Sequence, residues 1–319
     1  MLKELLKRDY VILDGAMGTN LFRKGLTSGD CPESWNIENP EKISEIHEEF
    51  VNAGSDIIVT NTFGGNQFRL KLHQLESKVK ELNYAGAQIA RECAGKKVFV
   101  AGSVGPSGEI LEPLGSLSYE LAVKGFGQQC MALKEGGVDM LWIETFSDLK
   151  EIKAAIEGSM QTGLPIVVTM SFDTAGKTMM GVSPHEFVSF IKKQHCVFAY
   201  GANCGLGFDE LIQTVGEMQI SGGKNIVAKG NLGIPVFHHG LIKYNVTEKS
   251  LLDYAVKVRN LGALFIGGCC GTEAKHIKNI KEILKISPYK HLKYKQNNSL
   301  KREKKISKRR RIKVNTKKV

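Results

Sequence analysis

The stretch Gly267-Gly268-Cys269-Cys270-Gly271-Thr272 follows the apolar run Leu264-Phe265-Ile266 and carries the residue types best suited to reactive sulfur. Adjacent cysteines do not readily form a disulfide with each other, whereas two thiolates on a glycine-flanked turn can face one metal ion. A third sulfur stands at Asn203-Cys204-Gly205, again at the end of an apolar run, Val197 to Ala202. Taken singly, each cysteine reads equally as a small buried hydrophobe. The shared context, a strand end followed by glycine, points instead to three ligands for one ion. Zinc is the first candidate, because it accepts soft thiolates and, with three protein ligands, keeps a fourth position for substrate.

Three thiolates give such a zinc site a net charge of about −1, which makes it a poor Lewis acid toward a carbonyl. A hydrolase more usually uses His and carboxylate ligands. The site suits another task, the ionisation of a substrate thiol whose ordinary pKa is about 8.5. The product is a nucleophile for alkyl transfer, and a donor that is already cationic needs no further activation. Asp14 and Glu144, also at the ends of apolar runs, then make sense as partners for a substrate ammonium group. Plainer roles stay open for both: a turn or N-cap residue for Asp14, a water-facing strand-end acid for Glu144.

These residues need a frame that brings distant strand ends together. Apolar, β-rich runs at Val11 to Asp14, Asp56 to Thr62, Val98 to Val104, Met140 to Thr145, Pro165 to Phe172, Val197 to Cys204, Asn225 to Asn231 and Leu264 to Cys269 predict eight strands. Between them apolar residues recur at helical spacing, as at Ile43, Ile46, His47, Phe50 and Val51. Ser183-Pro184 reads as a helix start. Near-continuous apolar strands separated by helices imply parallel strands buried on both faces. Eight such units predict a single α/β domain, a (β/α)8 TIM barrel, whose active site lies at the C-terminal ends of the strands. A doubly wound open sheet is the alternative, but Asp14-Gly15-Ala16-Met17-Gly18-Thr19 is a weak dinucleotide fingerprint. Asp14, Asn61, Thr62, Ser103, Glu144, Thr145, Ser171, Asn203, Asn231 and the three cysteines are therefore expected at one mouth.

Composition sets the surroundings. The chain has 319 residues with 42% hydrophobic and 24% charged content, and its 34 glycines suit many tight βα turns. Seven cysteines, an odd number in a chain too large to need staples, argue against a disulfide framework and for a reducing, cytoplasmic home. No run approaches the roughly 18 apolar residues of a membrane helix, and the N-terminus lacks a signal-peptide core. The formal charge of +11 is uneven: residues 290–319 hold 14 Lys and Arg against one acid, Glu303, leaving the rest at about −2. The expected division is a barrel over 1–289 and a disordered basic tail over 290–319, able to contact nucleic acid or an anionic surface nonspecifically, or simply solvated. No aromatic residue follows Tyr294, so the tail offers single-stranded nucleic acid no stacking platform.

The segments Asp14-Gly-Ala-Met-Gly-Thr, Thr60-Asn-Thr-Phe-Gly-Gly-Asn, Gly102-Ser-Val-Gly-Pro, Glu144-Thr-Phe, Gly201-Ala-Asn-Cys-Gly and Gly267-Gly-Cys-Cys-Gly, in order from about Leu5 to Leu284, resemble those of the homocysteine S-methyltransferases. The separated cysteine plus the cysteine pair is the specific part. The resemblance implies a (β/α)8 barrel that binds zinc and activates homocysteine as a thiolate. Cys204, Cys269 and Cys270 would be the metal ligands, and Asp14 and Glu144 would hold the homocysteine amino group. Ser103, Asn203 and Asn231 are further substrate-binding candidates, with the turn from Ser103 to Gly105 as a nest for the carboxylate.

Within the family the chain is similar to bacterial betaine-homocysteine methyltransferases, through Cys31-Pro-Glu-Ser-Trp-Asn and Thr178-Met-Met-Gly-Val-Ser-Pro, and to the homocysteine-binding module of cobalamin-dependent methionine synthase. Betaine is the expected donor, against an aromatic wall for which Trp35, Phe63 and Phe146 are candidates, with a loop containing Trp35 closing over it. Another onium compound, S-methylmethionine or dimethylsulfoniopropionate, is an alternative. So is methylcobalamin delivered by a separate corrinoid protein, since nothing after Ile286 reads as a further domain. A third reading, from another class, gives the cysteines a structural zinc and the basic tail a nucleic-acid partner. The chain departs from the family's Pro-Asn-Ala-Gly at Gly230-Asn231-Leu232-Gly233, where Leu232 is expected to fill space over the mouth. The sequence leaves a homo-oligomer open, as it does the choice between homocysteine and selenohomocysteine.

Overall fold

The computed structural model describes residues 2–233, 235–238, 241–244 and 246–295. Eight parallel strands form the barrel: β1 (Val11–Ile12), β2 (Ile57–Val59), β3 (Phe99–Val104), β4 (Met140–Phe146), β5 (Ile166–Met170), β6 (Val197–Cys204), β7 (Ile226–Gly230) and, after a hairpin, β10 (Ala263–Gly268). Each pairs with its neighbour in sequence around the ring, and β10 returns to β1 through Val11↔Phe265 and Ile12↔Ile266. The bridge Leu13↔Ile57, with Asp56 N donating to Ile12 O at 2.7 Å, links β1 to β2 at the remaining seam. All eight expected strands are present, most of them shorter than the apolar runs that encode them.

Eight outer helices follow these strands: α1 (Pro40–Ala53), α2 (Val79–Ala94), α3 (Tyr119–Glu135), α4 (Leu149–Met160), α5 (Pro184–Ile191), α6 (Phe208–Ile220), α7 (Glu248–Asn260) and α8 (Ala274–Ile286). Local signals set their ends. Pro40 opens α1, and Gly54 closes it in the left-handed conformation at φ 93°. Ser183 and Glu186 form a reciprocal capping box at α5.

Three apolar clusters result, one of them a small group of Cys31, Leu70, Val79 and Leu82. The largest lies between strands and helices. The second fills the barrel with side chains at alternate strand positions, among them Leu13, Val59, Ala101, Trp142, Val167, Val227 and Phe265. Trp142 is wholly buried and caps this interior plug directly beneath the mouth.

Two features depart from the expected organisation. An antiparallel hairpin, β8 (Pro235–His238) with β9 (Leu241–Tyr244), rises from the β7–α7 connection. The chain also stays on the barrel past residue 289. Buried Arg259 donates to the carbonyls of Leu284, Ser287 and Pro288, Leu292 N donates to Asn260 O at 2.7 Å, and Tyr294 N reaches Gln219 Oε1 at 2.9 Å. Tyr294 packs so closely on Gly216 of α6 that a Cβ there would come within 2.1 Å of its ring. The segment after α8 thus finds a side-chain partner on α6, Gln219, and a backbone partner on α7, Asn260. The tail expected over 290–319 falls, from residue 296 on, outside the described residues. All seven cysteines are free, and no helix among the described residues is long and apolar enough to cross a membrane.

Candidate active site

The three cysteines predicted as ligands meet at the strand ends. Cys204 Sγ lies 3.0 Å from Cys269 Sγ and 3.9 Å from Cys270 Sγ, and all three sulfurs fall within 4.8 Å of one another. Sulfurs bound 2.3 Å from a tetrahedral zinc stand roughly 3.7 Å apart, so this spread brackets the spacing such an ion requires. The donor set is soft and half-buried, as zinc prefers. Cys204 closes β6 at φ 59°, a left-handed conformation uncommon for a residue with a side chain, and Gly205 continues it at φ 78°. The approach of Cys269 and Cys270 pushes the Cys204 thiol well above its ordinary value, while the hydrogen bonds Cys270 accepts from Cys204 and Cys269 hold its own thiol far down.

Neutral struts hold the sulfur wall. Asn231 Nδ2 donates to Gly205 O at 2.7 Å while its Oδ1 accepts from Cys270 N at 3.0 Å, tying the two cysteine turns together. Cys269 N donates to Gly230 O at 2.8 Å, and Tyr254 OH, donating to Ala228 O and Gly267 O, clamps β7 to β10 from outside. Asn203 accepts from Thr145 N and Thr169 Oγ1, and its amide donates to Thr145 Oγ1 at 2.7 Å. That bracket holds Thr145 at φ 65°, a costly conformation for a β-branched residue. Asn203 and Asn231, expected to touch substrate, are thus spent inside the protein, and neither lines the mouth cavity.

The cavity at the mouth measures about 240 Å³ and runs from the three sulfurs across to Asp14, Glu144, Ser103, Glu33 and Phe63. Asp14 is almost fully buried. Its Oδ2 accepts from Val59 N at 2.7 Å and its Oδ1 from Lys229 Nζ at 2.8 Å. Burial pushes its carboxyl up, against the pull of Lys229. Glu144 Oε1 accepts from Ser103 Oγ at 2.5 Å, and burial raises its carboxyl to about 7 in spite of Lys229 and that hydrogen bond. Lys229 lies between these acids with its ammonium 5.8 Å from the Trp142 ring centroid. Burial lowers its pKa, but Asp14 and Glu144 outweigh that and keep it charged.

Three expectations meet corrections here. The Ser103–Gly105 turn is no carboxylate nest, because Ser103 N donates to Thr60 Oγ1 at 2.9 Å and Gly105 N to Phe63 O at 2.9 Å. Among the aromatic candidates only Phe63, 40% exposed, lines the cavity. Trp35 is buried at the start of a short helix, with the Lys42 ammonium 4.5 Å over its ring, so it does not sit in a loop over the mouth. Phe146 shares sequence parity with Trp142 and Glu144, yet a register shift between Ile143 and Phe146, together with the turned Thr145, sends its ring outward to Phe126, 5.8 Å away. Leu232 likewise packs into the strand–helix core and does not cover the mouth cavity.

Three residues at the site had not been singled out. Lys229 sits two residues after inward-facing Val227, so strand alternation was the signal for it. Glu33 accepts from Gly64 N at 2.6 Å and brings the Cys31-Pro-Glu segment to the cavity. Tyr244, at the end of the hairpin, packs on Gly271, where a Cβ would lie 2.7 Å from its ring. Burial and the charge of the three neighbouring sulfurs raise its phenol to about 12. No sequence signal marked that contact.

Residues 11–284 match the sequence model of a family described as homocysteine S-methyltransferase. The chain is 30% identical over 298 residues to a methionine synthase of Mycobacterium leprae, covering 88% of this chain and 24% of that protein. It is 28% identical to the methionine synthase of Mycobacterium tuberculosis over 88% of this chain and 25% of the other. The chain thus spans about a quarter of the length of these relatives. Among solved structures, the metallated form of the homocysteine methyltransferase MmuM from Escherichia coli superposes with a TM-score of 0.72 at 24% identity, covering 88% of this chain and 98% of that one. Its oxidised form gives 0.71 at 25% identity, covering 86% and 96%.

Proposed function

The chain belongs to the homocysteine S-methyltransferase family, and from that premise we propose that it transfers a methyl group from a cationic donor, betaine first, to the sulfur of L-homocysteine, forming methionine. One observation carries the reading: three thiols within 4.8 Å share a single cavity with Asp14 and Glu144. Zinc held by Cys204, Cys269 and Cys270 would supply a positive centre at which a substrate thiol loses its proton near neutral pH. The protein's own groups do the rest. Glu144 receives the substrate ammonium, with the negative charge of Asp14 behind it. The sulfur wall keeps the environment electron-rich, which favours attack on a positively charged methyl group. The cavity holds acceptor and donor in line, and such positioning can lower a barrier by roughly 7 to 11 kcal/mol. Phe63 offers an exposed aromatic face at the rim for an onium donor.

A second reading gives the methyl group to a corrinoid partner protein. It is favoured by the similarity to methionine synthases over a quarter of their length. The test is methionine formation by the purified, zinc-loaded protein with homocysteine and, separately, betaine, S-methylmethionine, dimethylsulfoniopropionate or methylcobalamin. Turnover with betaine is the expected result. Turnover with another onium donor alone keeps the reaction and replaces the donor. Turnover with methylcobalamin alone selects the second reading, and no turnover with any of them rejects both.

A further inference from the structure

The floor of the mouth contains a resident cation. Lys229 projects inward from β7, and its side chain is 4% exposed. An ammonium has three N–H donors. Asp14 Oδ1 takes one at 2.8 Å, and no second hydrogen-bond acceptor for Nζ is found among the described residues. Lys229 lines the cavity, so the remaining donors open onto it. A buried cation with unused donors at a cavity wall is costly unless an acceptor arrives.

An α-amino acid brings such an acceptor. Its ammonium is repelled by Lys229 and drawn to Glu144, whose second oxygen accepts no protein hydrogen bond among the described residues. Its carboxylate needs a donor, and the Ser103 and Gly105 amides are already committed. Asp14 has both oxygens engaged, by Lys229 and by Val59 N, and so faces the lysine more than the ligand.

We propose that Lys229 is the carboxylate anchor of the acceptor amino acid, with Asp14 as the residue that positions it. This rests on homocysteine being the acceptor. Sulfur at the cysteines, ammonium at Glu144 and carboxylate at Lys229 are three unlike points of attachment. Together they select an α-amino acid thiol over a simple aminothiol.

The test compares KM for L-homocysteine and for 3-aminopropane-1-thiol, the same molecule without the carboxylate, in the zinc-loaded full chain with the productive donor. Lys229→Met should raise KM for homocysteine roughly 10- to 100-fold, the loss of a charged hydrogen bond, and change that for the aminothiol less than about threefold. An equal change for both thiols overturns the proposal. Because Lys229→Met leaves Asp14 buried without its cation, Asp14→Asn combined with Lys229→Met removes both charges and should show the same collapse of preference. If neither variant folds, wild type decides: it must prefer homocysteine to its methyl ester by a similar factor, and equal use of the two overturns the proposal. A wild-type protein that accepts neither thiol is a different result, since it rejects homocysteine as the acceptor.

Discussion

The sulfur wall and the charged floor share one cavity but are held by different forces. Around Cys204, Cys269 and Cys270 the supports are neutral: Asn231 bridging two turns, Asn203 bracketing Thr145, Tyr254 clamping β7 to β10. Around Asp14 and Glu144 the support is a buried ammonium, Lys229, with the Val59 amide on Asp14 and the Ser103 hydroxyl on Glu144. Neutral hydrogen bonds fix direction without adding charge, which suits sulfurs whose own negative charge must be kept for an ion. Buried charges attract at longer range but leave a large penalty when one partner is lost. Damage to the wall should therefore appear as lost metal, and damage to the floor as lost substrate affinity.

The largest separation of the two comes from Cys269→Ala, which should abolish both bound zinc and methionine formation while homocysteine's amino-acid contacts remain. Metal analysis beside a turnover assay checks it, and turnover without zinc would sink the mechanism. Next comes Asn231→Ala, which unties the two cysteine turns without removing a ligand. Loss of a supporting hydrogen bond of this kind weakens metal binding roughly 10- to 100-fold, measurable by competition with a chelator. At saturating zinc its homocysteine KM should stay near wild type, and a large rise there would mean that Asn231 serves the floor as well.

Glu144→Gln tests the floor alone. It should raise homocysteine KM on the order of tenfold, with zinc content unchanged. It should also alter the pH response. Burial holds the Glu144 carboxyl near 7, so it is ionised above that value and becomes protonated as pH falls through it. Wild-type affinity for the ammonium should fall over the same interval, and the glutamine variant should lack that component. An unchanged pH profile would place the substrate ammonium elsewhere.

The wall was more legible in the sequence than the floor, for a physical reason. Cysteines at the ends of apolar runs carry both their chemistry and their position in their type, and parallel buried strands announce themselves as continuous apolar segments. Lys229 lies inside such a run, Ile226 to Gly230, where one lysine resembles an interruption; only its alternation with Val227 reveals that it points inward. Phe146 shows the opposite failure. Alternation assigns it to the interior with Glu144, and the positive φ of Thr145 with the register shift beside it reverses that assignment. Asn203 and Asn231 fall at strand ends beside the cysteine turns, but whether an amide turns to a ligand or to a neighbouring turn depends on hydrogen-bond partners far apart in sequence.

The smallest effect is expected from Phe63, which touches neither wall nor floor. Its ring lies over Gly105, where a Cβ would come within 2.7 Å of it, and its exposed face looks onto the cavity. Phe63→Leu keeps much of the apolar bulk and removes the π face. A cation–π contact contributes about 0.5 to 2 kcal/mol, so KM for an onium donor should rise roughly 2- to 30-fold. Zinc content and homocysteine KM should not move, which distinguishes this rim residue from both other regions. The change should also depend on the donor: a quaternary ammonium or sulfonium compound feels the loss of the ring's quadrupole, whereas methylcobalamin presents no such cation to it. An equal loss with every donor would make Phe63 a packing residue over Gly105, and the rim would then have no part in choosing the methyl source.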